Sequence, residues 1–170
     1  MTDRIAAGIL GLAIIVIFVF TAVLAVQEAS AEQAGTFAGT WVASGKRQTF
    51  DFVEGRQVGT FNLAGNVSLK DEFGGIADFW AECIGLSDSA AGSSVRCIWR
   101  SLKGEKAYSV MSGRPLKEGA KVTGEFVGGT GSLKGVTGSF TFTWTSTFTD
   151  NDQGVFTGHT KDLSGKYQIP

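Results

Sequence analysis

The most constraining feature of this sequence is an alternation of aromatic residues with threonines between Ser139 and Thr149. Because successive side chains of a strand point to opposite faces, the alternation predicts one β-strand with an aromatic face towards a core. Its other face is then a row of threonines that is solvated or covered by a second subunit. The aromatic positions are Phe140, Phe142, Trp144 and Phe148.

Weaker patterns of the same kind recur through residues 35–170 and predict about eight to ten short strands. Separate strands are expected at Thr36–Ala43 and Gln48–Val53, and again at Val155–Lys161 and Gly165–Ile169. Glycine is abundant and proline is rare, which favours strands joined by tight turns. Consecutive antiparallel strands form a sandwich or a barrel, and closure removes exposed edges. We therefore expect an all-β domain, a small closed antiparallel β-barrel of about eight strands.

Residues 1–31 have a different character. After Arg4, the run from Ile5 to Val26 carries no charge for 22 residues, and the small residues Ala29 and Ala31 flank a possible cleavage point after Ala31. This pattern is typical of a signal peptide, but about 20 apolar residues also suffice for a membrane-spanning helix. Both interpretations, a cleaved signal and a retained hydrophobic N-terminal helix, place the barrel outside the cytoplasm. It would be periplasmic or secreted, or anchored to the membrane by residues 5–26.

Two cysteines, Cys83 and Cys97, lie in apolar stretches on either side of a loop-like segment, Gly85–Ser94. A hairpin with this tip would place the cysteines opposite each other, and an exported domain favours a disulfide between them. Two buried free thiols are the alternative. A metal site is not expected, because there is no second cysteine pair and His159 is the only histidine.

Charge and catalytic motifs limit the function classes. The formal net charge is −1, and acids and bases balance once residues 1–31 are set aside, so no nucleic-acid partner is expected. No motif for a catalytic triad is present, and no residue is assigned a catalytic role. No cofactor is expected either.

The candidate ligand-binding residues come from strand-like stretches. Asp78, Trp80 and Glu82 share one strand face, which would form an aromatic and acidic pocket if it lined the lumen. If the face is solvated, which the rarity of buried charges favours, they are surface charges. The tryptophans are expected in the core, where some would line a ligand cavity. The full candidate set is Asp78, Trp80, Glu82, Trp99, Glu125 and Trp144, with Trp41 as a further core tryptophan.

A glycine-rich segment, residues 128–138, precedes the Phe/Thr strand. A phosphate-binding loop is not indicated, because a strand and not a helix follows it. We expect a sharp chain reversal through positive φ angles, with Leu133 filling the turn. The residues that define this turn are Gly128, Gly129, Thr130, Gly131, Gly135 and Gly138.

This glycine segment resembles the corresponding stretch of allene oxide cyclase-like and dirigent-like barrels. Arg96-Cys97-Ile98-Trp99, Lys103-Gly104-Glu105-Lys106 and the terminal Gly165–Pro170 resemble poorly described bacterial relatives of that group. The resemblance implies a calycin-type eight-stranded barrel with a lumen. Plant members act on a fatty-acid-derived epoxide or guide radical coupling, and often form trimers, but no stretch of this chain matches their polar pocket residues.

Two functional hypotheses follow. The first is an exported non-enzymatic barrel that binds a small apolar ligand or serves as an accessory subunit of an envelope or membrane complex, with a homo-oligomer as a further possible partner. The alternative is a cyclase- or isomerase-like enzyme that acts on a hydrophobic substrate in the lumen. The lumen discriminates between them: a closed one leaves only the structural role, and inward-pointing carboxylates favour the enzyme.

Overall fold

The computed structural model describes residues 32–170, and the expected signal or anchor in residues 1–31 lies outside the described residues. Eight antiparallel strands each pair with the next one along the chain, and the last returns to pair with the first. The predicted closed antiparallel barrel is therefore confirmed. The strands are β1 (Gln33–Val53), β2 (Arg56–Asp71), β3 (Ile76–Asp88), β4 (Gly92–Ser101), β5 (Lys106–Pro115), β6 (Ala120–Gly129), β7 (Thr137–Asp150) and β8 (Val155–Ile169).

Several strands are longer than the sequence pattern predicts. The two segments expected at Thr36–Ala43 and Gln48–Val53 form the single strand β1. The segments expected near the C-terminus likewise join in β8, where Asp162 has a φ of 56°. Thr160 and Leu163 on either side of this position are both buried, so the irregularity keeps both halves of β8 directed at the core.

The Phe/Thr alternation holds for the first part of β7 only. Phe140 and Phe142 are buried, and Trp144 is half-buried. Phe148, which was predicted on the same buried face, is 56% exposed. The reason is a register shift in the β7–β8 pairing between Ser146 and Phe148, which ends the alternation before the strand ends.

In-strand glycines make room for the large aromatic side chains. A Cβ atom at Gly124 would lie 2.3 Å from the Phe140 ring, and one at Gly165 would lie 2.7 Å from both Phe140 and Phe37. These glycines lie on strands β6 and β8, on either side of β7. The aromatic core of the barrel therefore depends on neighbouring positions that carry no side chain.

The predicted disulfide is confirmed. Cys83 on β3 and Cys97 on β4 are direct cross-strand partners with a Cα–Cα distance of 4.1 Å. Both are buried, and they face the interior of the barrel together with Ala81 and Trp99. The bond thus lies in the barrel wall next to the aromatic core.

The barrel has two ends, which we name by their turns. The near end carries the β2–β3 and β4–β5 turns and the β6–β7 link. The first residue of β1, Gln33, and the last residue of β8, Ile169, also lie there. The far end carries the β1–β2, β3–β4, β5–β6 and β7–β8 turns.

Candidate functional site

A layer of aromatic side chains crosses the middle of the lumen. Trp41 and Trp99 have ring centroids 6.5 Å apart, and each packs against rings of β7: Trp41 on Phe142 at 6.0 Å and Trp99 on Phe140 at 5.3 Å. Phe126 completes the layer at 5.5 Å from Trp99. Edge and tilted ring contacts of this kind stabilise a core beyond simple area burial. The layer fills the centre and leaves a cavity at each end.

The far cavity has a volume of about 430 Å³ and lies beneath the far-end turns. Trp41 and Phe142 of the aromatic layer line it, and so do residues from strands on every side of the barrel. Its size is in the range of small-molecule pockets. Further apolar lining residues are Phe61, Leu63, Val95, Met111, Val122, Trp144 and Phe156.

Trp41, which lines this cavity, has a buried indole N–H without a partner in the described part of the chain. Its main-chain N–H donates to Thr160 Oγ1 at 2.9 Å. Its indole Nε1–H is buried and has no acceptor among residues 32–170. By contrast, Trp99 Nε1 donates to Ser109 Oγ at 2.8 Å. Buried donors are nearly always paired, so this indole is an exception among the described residues.

Two charged side chains stand at the mouth of the far cavity. Arg47 donates from Nη2 to the Asn151 amide oxygen at 2.6 Å, and it forms no ion pair within residues 32–170. Asp88 accepts two hydrogen bonds from Arg56, with distances of 3.0 and 2.5 Å, and two more from main-chain N–H groups of the following turn. The Arg56 hydrogen bonds and these amides hold the pKa of Asp88 well below its usual range.

The Asp88 interactions predict a pH dependence of folding stability. Because the folded-state pKa of Asp88 is lowered, its contribution is present at neutral pH and is lost as the pH falls below about 4. We expect Asp88→Asn to be less stable than the parent at pH 7 and to lose less stability on acidification. Urea unfolding across a pH series measures this. Glu118→Gln is the control, since Glu118 forms no ion pair within residues 32–170. An equal loss of stability on acidification in D88N and the parent would contradict the stabilising role of Asp88.

The near cavity, on the other side of the aromatic layer, has a volume of about 300 Å³. Trp99 and Phe126 form its floor, and Tyr167 and Asp71 bring polar atoms to its wall. The remaining lining is mainly apolar: Phe37, Leu69, Phe79, Leu133, Val136 and Ile169. The two cavities share no lining residue, so each is a separate compartment.

The glycine segment closes part of the near end. Thr130 exchanges hydrogen bonds with Lys106, and Glu105 accepts from both the N–H and the hydroxyl of Ser132. The Ser132 contacts lower the pKa of Glu105. Leu133, in a short 3-10 turn, packs against the core as expected. Positive φ angles occur at Gly128, Gly131, Gly135 and Gly138, whereas Gly129 and Thr130 do not require them.

The structure separates the candidate ligand residues into two groups. Trp99 and Trp144 face the lumen, where they line the near and the far cavity respectively. The other four, Asp78, Trp80, Glu82 and Glu125, lie on the outer face of the barrel. Trp80, which was expected in the core, is 43% exposed.

The alternation of β3 explains this outward placement. Ala81 and Cys83 point inward, so Trp80 and Glu82 must point outward. On the outer face, the Glu82 carboxylate accepts a hydrogen bond from Arg100 of the neighbouring strand at 3.4 Å. His159 also lies outside, half-buried, between the inward positions Gly158 and Thr160.

Sequence reasoning did not find the mouth of the far cavity. Arg47 lies in phase with Trp41 along β1, and that spacing of six residues is a detectable signal for an inward position. Asp88 and Phe156 lie at strand ends, where alternation gives no such signal.

Comparisons of the chain with protein-family models, with curated proteins and with solved structures found no match in any of the three.

Over residues 32–170, no helix has the length and apolarity needed to cross a bilayer. In the same part of the chain, no group of three or more His, Cys, Asp or Glu side chains is placed to hold a metal ion.

Proposed function

We propose that this chain is an exported barrel that binds one small, largely apolar molecule in the far cavity. The observation that carries the proposal is the far cavity itself, with a volume of about 430 Å³ and walls that include Trp41, Phe142 and Trp144. The apolar part of a small ligand would pack on these rings.

Arg47 adds a second element of recognition. A guanidinium without an ion-pair partner at the mouth of an apolar cavity favours a ligand whose polar end is an acceptor or an anion. The ligand would then lie with its apolar end against Trp41 or Phe142 and its polar end towards solvent.

Binding is favoured over catalysis by the ionisable groups of the cavity. Arg47 and Asp88 are the ionisable side chains that line it. Asp88 is engaged by Arg56 and its pKa is lowered, so it is a poor proton acceptor at neutral pH. A cyclase- or isomerase-like enzyme would have to act by steering its substrate.

Export is supported by the buried disulfide, since such bonds persist in oxidising compartments. Kinship with allene oxide cyclase-like and dirigent-like barrels is a further proposal that rests on the glycine segment. The closed eight-stranded barrel is the architecture that this kinship implies.

An accessory-subunit role is the second candidate, and the outer face of β3 favours it. Ile84 and Leu86 are exposed there, and Ile98 of β4 lies beside them. A partner protein would cover this strip without touching the far cavity. The two roles are therefore separable by variants that fill the cavity.

Filling the far cavity is expected to abolish ligand binding. Ala120 lines the far cavity and Ala77 lines the near one, which gives a matched pair of variants, Ala120→Phe and Ala77→Phe. We expect the neutral fluorophore N-phenyl-1-naphthylamine to bind residues 32–170 saturably, with tryptophan fluorescence transferred to it. Its Kd should rise at least about tenfold in A120F, because the added ring takes the volume of a ligand ring.

The A77F variant is expected to bind the fluorophore like the parent. Equal affinity in A120F and the parent, or the absence of saturable binding to the parent, would contradict a ligand site in the far cavity.

A further inference from the structure

Two large apolar side chains are exposed to solvent at the near end. Phe73 on the β2–β3 turn is 88% exposed and Leu102 on the β4–β5 turn is 93% exposed, the highest values among the large hydrophobic residues described. Ile76, where β3 begins, is also exposed. Since β3 pairs with both β2 and β4, these turns are neighbours at the same rim.

Hydrogen bonds hold the backbone of the two turns that carry Phe73 and Leu102. Asp71 accepts from the N–H of Phe73 at 2.9 Å and from that of Gly75 at 2.7 Å. The β4–β5 turn is closed by the Gly104 N–H on the Ser101 carbonyl at 2.9 Å. Because the two turns are neighbours at one rim, their exposed apolar side chains form a candidate contact surface.

The covalent chain enters the barrel at this same rim. Gln33 begins β1 at the near end, and residues 27–32 are all that separate it from the apolar run ending at Val26. Six residues reach at most about 20 Å. If the run remains in a bilayer, the near end cannot leave the bilayer surface by more than this distance.

We propose that the near end of the barrel docks on the membrane surface, with Phe73, Ile76 and Leu102 in the lipid interface. Trp80, which is half-exposed on the outer face of β3 opposite Arg100, lies further up the same side, an arrangement suited to the headgroup level. The near cavity then opens towards lipid, and the far cavity opens away from it. The inference rests on the proposed export and on a retained anchor, but not on any ligand.

The charges at this rim indicate docking by apolar burial and not by attraction to anionic lipid. Lys70 lies beside Asp71 and Glu72 at the β2–β3 turn, and Lys103 is balanced by Glu105 on the β4–β5 turn. Docking is therefore expected on zwitterionic lipid, with little dependence on salt.

The far end provides a matched control, because its β1–β2 hairpin also exposes aromatic residues, Phe50 and Phe52. The full chain is reconstituted in phosphatidylcholine liposomes with p-benzoylphenylalanine at one of these positions or at Phe73 or Leu102. After irradiation, mass spectrometry measures phospholipid adducts. We expect at least about tenfold more adduct at Phe73 and Leu102 than at Phe50 and Phe52. Burial of one such side chain in lipid favours the docked state by about this factor.

Near-end adducts that persist at high salt would support the inference. The full chain could sediment with liposomes but give no adducts at Phe73 and Leu102, or equal adducts at both ends. Either result would overturn the docking inference and leave the retained anchor in place. A full chain that does not sediment with liposomes would overturn both the docking inference and the anchor. Fluorophore binding to residues 32–170 is independent of all these outcomes, so failure of the ligand proposal is recognised separately.

Discussion

Replacing Trp99 by alanine is expected to lower the free energy of unfolding by about 3–5 kcal/mol. Trp99 is 1% exposed and contacts Trp41, Phe126 and Phe140 in the aromatic layer. Its removal leaves a void that strands fixed by a closed ladder cannot collapse to fill. It also leaves the Ser109 hydroxyl, which accepts from the indole, without its partner in a buried position.

Trp80→Ala is the matched control, because Trp80 lies on the adjacent strand but on the outer face. Its loss of stability should be within about 0.5–1 kcal/mol, as for other surface changes. Urea unfolding of residues 32–170, followed by circular dichroism, measures both variants. A loss below about 1 kcal/mol for W99A would contradict the central aromatic layer.

Reduction of the disulfide is expected to cost about 3 kcal/mol, the chain-entropy value for a loop of this size. Cys83 and Cys97 are 14 residues apart in sequence, and the bond limits the unfolded chain across the β3–β4 turn. For a domain whose total stability is about 5–15 kcal/mol, the loss is a large fraction. The midpoint of urea unfolding should therefore fall sharply when reductant is added.

The double variant Cys83→Ala/Cys97→Ala separates the bond from other effects of reductant. It should unfold at the midpoint of the reduced parent and should not respond to reductant. A parent whose midpoint is unchanged by a reductant that demonstrably opens the bond would contradict this account.

The fold was predictable to the level of architecture because its signals are local. Alternation along Ser139–Thr149 and the spacing of the two cysteines depend on neighbours in sequence. The strand and the disulfide were confirmed, whereas the buried aromatic face ends before Phe148. Strand ends were less predictable. The alternation of apolar and polar residues along β1 breaks at Gly45 and Lys46, because glycine has no side chain and lysine is charged. The pairing of β1 with β2 nevertheless continues through both residues. Tertiary pairing overrides local preference at such positions.

The candidate site was predictable only in part, because a cavity is assembled from several strands. Trp99 and Trp144 were identified as lumen residues from their type. The sequence pattern allows Asp78 and Glu82 to be either lumen or surface residues, and the inward position of Cys83 shows that they lie on the surface. The closed barrel determines which face of each strand points inward. From the sequence, that face can be assigned only after one inward residue of the strand is known.

NMR can locate a bound probe in the barrel and so test the far cavity as the ligand site. Methyl-labelled residues 32–170 would be saturated with N-phenyl-1-naphthylamine, and intermolecular nuclear Overhauser effects from its aromatic protons recorded. We expect contacts to methyl groups of the far cavity, Leu63, Met111 and Val122. Contacts confined to the near cavity, at Leu69, Leu133 or Val136, or no contacts to lumen methyl groups, would contradict it.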